Sequence, residues 1–71
     1  MILGDLIKRY RSETGTSMEQ FAKKSGISKA YVSILERNYN PVNGKPVVPS
    51  LETIKAVSNA IGMDFNDVIA T

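Results

Sequence analysis

The stretch SMEQFAKKSGISKAYVSIL, residues 17–35, decides how this chain folds. In Ser17-Met18-Glu19-Gln20 the Ser17 hydroxyl can accept from the Gln20 amide while the Gln20 side chain reaches back, a reciprocal cap that starts a helix. Phe21 and Ala22 face inward from that helix, and Ser25-Gly26 ends it. Ser28 is the next capping residue, and a further helix runs from there to about Arg37 with Val32 and Leu35 on its inner face. Two short helices joined by a turn of about three or four residues must cross steeply. Ala22 is small enough to let the second helix approach. Gly26 can take a backbone conformation that a β-carbon disfavours. Phe21, Ile27, Val32 and Leu35 supply the apolar set that locks the pair. A lone Ala-x-x-x-Gly carries no information; the complete set between two capped helices does.

Upstream, Leu3, Leu6, Ile7 and Tyr10 fall at i, i+3, i+4 and i+7, the mark of one buried helical face. This predicts a first helix over about residues 2–13, closed by Gly15. Downstream, residues 38–49 change character. They hold all three prolines, Pro41, Pro46 and Pro49, and an Asn43-Gly44 pair. Asn-Gly favours a tight type I′ turn, so a short hairpin-like loop is expected around Val42–Lys45. The prolines remove ladder donors, and no sheet should grow there. Pro49-Ser50 then opens a fourth helix with Leu51, Ile54, Val57 and Ile61 inward and Gly62 as its stop. Asp64 caps a short fifth helix bearing Phe65, Val68 and Ile69, with Asp67 near its positive dipole end. Phe65 and Met63 are assigned to the core, with a dimer contact as the alternative. Val42, Val47 and Val48 are expected to be exposed, either closing the loop on itself or forming a partner surface.

At 71 residues the chain suffices for one domain, taken as residues 1–71. It contains neither Cys nor His, which removes disulfides, thiolate and imidazole metal sites, and the side chains most used for nucleophilic and proton-transfer chemistry. The carboxylates fall on different helices, so neither an acid/base pair nor a two-metal site suggests itself. No enzymatic activity, metal or cofactor is therefore expected. No apolar run approaches the roughly 18 residues a membrane span needs. No basic-then-apolar leader precedes the first helix, so the protein is expected to stay in the cytoplasm. Net charge is +2, unevenly placed: residues 1–37 carry seven basic and four acidic side chains, residues 38–71 two basic and three acidic. A basic half beside a near-neutral one suits a polyanion-facing surface with a structural back. Chance asymmetry of a solvated surface is the plainer reading of charge alone.

With those residues laid out, the chain resembles the Cro/phage-repressor class of helix-turn-helix proteins, often called the xenobiotic-response-element (XRE) family. The likeness covers nearly all of residues 3–70, including Glu36-Arg37-Asn38 at the end of the third helix and Pro49-Ser50-Leu51-Glu52 at the start of the fourth. It implies an all-α, compact five-helix, lambda-repressor-like domain whose helix-turn-helix spans about residues 17–37, followed by a loop over 38–49. It further implies a homodimer and sequence-specific binding to a near-palindromic double-stranded operator, as a bacterial or phage-encoded repressor of transcription. Carried onto this sequence, the third helix is the recognition helix. Lys29, Ala30 and Ser33 would face base edges, with Ile34 at the far side. Lys29 at the helix start can donate to guanine O6 and N7, while Ala30 and Ile34 can offer only apolar contact, for example to a thymine methyl.

Ser28 would touch phosphate, and Tyr31 would lay its ring on the domain with its hydroxyl toward phosphate. The start of the second helix points backbone donors at an anion, which makes Ser17 and Met18 phosphate candidates. Most family members have Gln where this chain has Met18, so there only the main chain is left for that contact, and the Met18 side chain is expected to staple onto the domain. Arg37, Asn38, Asn43 and Lys45 are further phosphate candidates, in or beside a loop longer than the family norm. Arg11 and Glu36 match a partly buried ion pair that ties the first helix to the third in similar repressors. Lys23 and Lys24 are read as the solvent side of the second helix. The competing reading is a protein-interaction module on the same fold, an antitoxin or antirepressor. A neutral or acidic third helix would favour it; Lys29 and the basic half favour DNA.

Overall fold

Glycine at position 4, inside the first helical repeat, sets how the outer elements stack, and the computed structural model describes residues 3–39 and 42–70 around it. Five helices follow in order: α1 (Leu3–Thr14), α2 (Met18–Ser25), α3 (Lys29–Arg37), α4 (Leu51–Ile61) and α5 (Phe65–Ala70). α3 packs against α1 and α2, and α4 packs against α2, α5 and α1. A β-carbon on Gly4 would overlap the main-chain carbonyl of Leu35, so α1 and the end of α3 meet backbone to backbone. The expected first helix is present; Ile2 lies outside the described residues.

The caps form where local chemistry places them. Ser17 Oγ accepts from the Gln20 amide at 3.0 Å, and the Ser17 amide donates to Gln20 Oε1 at 2.9 Å. Ser28 Oγ accepts from the Tyr31 amide at 3.1 Å, Ser50 Oγ from Thr53 at 3.2 Å, and Asp64 Oδ1 from Asn66 at 2.8 Å. Gly26, at φ 75°, ends α2 by donating its amide to the Ala22 carbonyl at 2.9 Å. Ser25 adds to this turn: its hydroxyl donates to the Phe21 carbonyl at 2.9 Å and accepts from the Ile27 amide at 3.4 Å.

The core gathers Leu3, Leu6 and Ile7 of α1, Phe21 and Ala22 of α2, Val32 and Leu35 of α3, Val57 and Ala60 of α4, and Val68 of α5. Tyr10 meets the edge of Phe21 with ring centres 5.9 Å apart. Ile27, Met18, Ile54, Ile61 and Met63 pack on the cluster from its margin. Burial of this apolar surface is what stabilises so small a domain.

Four expectations change. Leu51, read as inward, is 57% exposed, because it is the first residue of α4 and stands a turn ahead of where the helix meets the core. Val47, read as exposed, is half-buried against the core. Phe65 is half-buried rather than central; the Lys55 ammonium lies 5.7 Å from its ring centre. The Asn43-Gly44 turn is not type I′, since Gly44 has φ 69° but Asn43 does not enter the positive-φ region. Instead Asn43 Oδ1 accepts from the Lys45 amide at 3.0 Å, a side-chain turn that spares Asn43 that conformation. Among the described residues no strand forms, and Pro41, one of the three prolines invoked against a sheet, lies outside them.

Candidate nucleic-acid interface

α3 has two unlike faces because its sequence, KAYVSILER, alternates them at helical spacing. Val32, Leu35 and Glu36 are buried. Lys29, Ala30 and Arg37 are exposed, and Ser33 and Ile34 are half-exposed. At 3.6 residues per turn, Ala30, Ser33, Ile34 and Arg37 form one outward stripe, with Lys29 on its flank in the first turn. The one carboxylate of α3, Glu36, turns inward. Arg11 Nη1 sits 3.2 Å from both of its oxygens and hydrogen-bonds to Oε1. Arg11 Nε and Glu36 Oε2 are buried with no hydrogen-bond partner. An incompletely satisfied pair of this kind fixes position more than it adds stability. It ties α1 to α3, as the resemblance implied, and it leaves the outward stripe with no negative charge.

The remaining residues named from the sequence divide. Ser28 is exposed at the start of α3, and its hydroxyl, already accepting from Tyr31, keeps its own proton free to donate outward. Ser17 is exposed at the start of α2, while Met18 turns to the core, matching its reading as a staple. Asn38 ends α3 at φ 53°, its amide donating to the Leu35 carbonyl at 3.1 Å. Tyr31 packs on the core with its ring half-exposed. Tyr31 and Ile34 form one wall of a groove of about 560 Å³ whose other wall is the 42–48 loop, carrying Asn43 and Lys45. The fold thus brings the stripe, Tyr31 and the loop polar groups together along one side of α3.

Lys24 is exposed on the solvent side of α2, as read, and also has a partner there. Its ammonium donates to the Tyr10 hydroxyl at 2.6 Å, 14 residues away in sequence. It lies 5.1 Å from the ring centre, so it sits beyond the hydroxyl rather than over the ring face. Sequence offers no signal for a contact of that separation. It did offer one for Gly4, a glycine inside an apolar helical repeat, which marks a close backbone approach. No helix among the described residues is long and apolar enough to cross a membrane.

The chain matches the family model for the helix-turn-helix domain over residues 2–68. It is 39% identical over 56 residues to the HTH-type transcriptional regulator SinR of Bacillus subtilis (strain 168), covering 79% of this chain and 48% of that protein. It is 33% identical over 70 residues to the immunity repressor protein of Bacillus phage phi105, covering 97% of this chain and 43% of that one. Its fold superposes on the crystal structure of SinR, the master regulator for biofilm formation, in complex with DNA. There the TM-score is 0.74 and the identity 31%, over 94% of this chain and 97% of the other. The chain spans less than half the length of those two curated relatives.

Proposed function

This chain belongs to the helix-turn-helix domain family, in its Cro/phage-repressor (XRE) class, and from that premise we propose that it is a sequence-specific, double-stranded-DNA-binding regulator of transcription. It acts as a repressor and not as an enzyme, and residues 1–71 work as one DNA-binding unit in the cytoplasm of a bacterial cell. The observation that carries this reading is the outward stripe of α3, free of carboxylate because Glu36 falls on the buried face with Val32 and Leu35, where Arg11 pairs with it. A helix so presented can enter the major groove without like-charge repulsion against phosphates.

In this reading Lys29, Ala30, Ser33 and Ile34 contact bases. Ser17, the Met18 main chain, Ser28, Tyr31, Arg37, Asn38, Asn43 and Lys45 serve the phosphates. Exposure and placement beside α3 support the Lys29, Ala30, Arg37 and Lys45 assignments most directly. One domain makes few phosphate contacts and binds weakly. A homodimer sets two recognition helices about 34 Å apart on a near-palindromic operator.

Selection from randomised duplex DNA, followed by salt titration on the enriched sequence, tests this. A two-fold symmetric consensus whose affinity falls steeply with salt is the expected result. Failure to enrich any sequence overturns it and favours a protein-interaction module on the same fold.

A further inference from the structure

Two of the surface grooves differ in the charge of their linings. The groove of about 340 Å³ beside the carboxy-terminal half of α1 is lined by Ile61 and Met63 together with both Arg9 and Glu13. The groove beside α3 is lined by Tyr31, Ile34, Val42, Lys45, Val47 and Val48, with Asn43 and Pro46, and among these described residues there is no carboxylate. Its two outermost apolar side chains are hardly covered by the domain: Val42 is 92% exposed and Val48 90%. Apolar groups so exposed, with an ammonium beside them in the same groove, match one chemistry well. A deoxyribose–phosphate strand presents apolar sugar carbons at each residue, flanked by anions.

The geometry points to Val42 and Val48 as contacts for the sugars of the DNA strand that runs beside α3, with Lys45 taking an adjoining phosphate. This deepens the DNA-binding reading above and rests on it, because the groove is continuous with the outward stripe through Ile34. Its consequence is a share of binding free energy that salt does not touch. Ion contacts to phosphate release counterions and set the slope of affinity against salt; apolar contact to sugar shifts affinity without altering that slope. Because every nucleotide carries the same sugar, that share is also blind to sequence.

The test compares Val42→Ser, Val48→Ser, Val48→Ile and Lys45→Ala with the unaltered chain, on the selected duplex and on a duplex of scrambled sequence. Both valines are so exposed that serine there should leave the thermal melt unchanged, and circular dichroism verifies this. Each serine variant is expected to bind about 3- to 10-fold more weakly on both duplexes, by the same factor at every salt concentration. Val48→Ile, which keeps an apolar side chain, should bind more tightly than Val48→Ser on both duplexes, and Lys45→Ala should flatten the salt slope by about one. Serine variants that bind normally, that lose affinity on one duplex only, or that change the slope overturn the sugar contact. A change in oligomeric state of Val48→Ser in sedimentation, with DNA affinity of the assembled form intact, assigns the groove to a second copy and likewise overturns it. If the unaltered chain binds neither duplex, the DNA-binding reading fails; if it binds and the valine variants match it, this inference alone fails.

Discussion

The elbow over residues 17–37 and the loop that follows it over 38–49 both border the proposed DNA surface, yet they are held by different means. The elbow is fixed at every joint: caps at Ser17 and Ser28, a left-handed glycine at position 26, the Ser25 hydroxyl across the turn, and Val32 and Leu35 in the core. In the loop, the ties among the described residues include the Asn43 side-chain turn, a backbone bridge at Lys45 and Val47 against the core, while the side chains of Val42 and Val48 are exposed. The difference separates two tasks. Reading bases needs side chains placed to within a fraction of an ångström, whereas following a sugar–phosphate strand tolerates adjustment.

The sharpest way to break the contrast is Gly4→Ala. The added carbon would overlap the Leu35 carbonyl, and main chain cannot step aside as a side chain can, so α1 must part from α3. A loss of about 3 kcal/mol or more is expected, lowering Tm by roughly 12–24 °C in a domain this size. A melt shifted by only a few degrees would show that the elbow has other footing. Next, Glu36→Ala leaves the Arg11 guanidinium half-buried without its partner. With Arg11 partly reached by solvent, the cost should be about 2 kcal/mol in denaturant unfolding, and Arg11→Ala in the same background should recover part of it.

Lys29→Ala leaves stability alone and acts on recognition. An ammonium lacks the fork of a guanidinium, so the lower part of the usual range applies, about 1.4 kcal/mol or tenfold at one position per half-site. Equal weakening on every sequence would refute a base contact. The smallest effects sharpen the comparison most. Gly26 and Gly44 have nearly the same backbone angle, φ 75° and 69°, and neither meets a backbone atom where a β-carbon would stand. Gly26→Ala, clamped between two helices, should cost about 1 kcal/mol. Gly44→Ala, in a loop able to yield, should cost less than about half of that. Equal costs, measured by thermal melts of both variants, would mean that the loop is as rigid as the elbow.

Legibility in the sequence followed the same division. Caps, glycine stops and the apolar rows of α1, α2 and α3 were all readable, because each is settled within four residues along the chain. Leu51 misled because periodicity tells which side a residue is on but not where along a helix the core begins. Asn43 misled because Asn-Gly has a second solution, in which the asparagine side chain supplies the turn and only the glycine goes left-handed. The Lys24–Tyr10 hydrogen bond and the wall that the loop raises beside Tyr31 join distant residues, and no local pattern encodes them. For the recognition face, the identity of each residue on α3 was readable. That Glu36 lies off this face follows from spacing, since it stands four residues after Val32; that its partner is Arg11 came from family likeness.

The missing side chain at position 4 has a mechanical result. With a bare α-carbon of α1 seated against a main-chain carbonyl near the end of α3, and Arg11 bracing the same junction, the reading helix cannot swivel on its own; it turns only with the helix behind it. On the proposed reading, aiming α3 at a duplex therefore means placing the body that α1 and α3 make together, since among the described residues main chain and an ion pair both join the two.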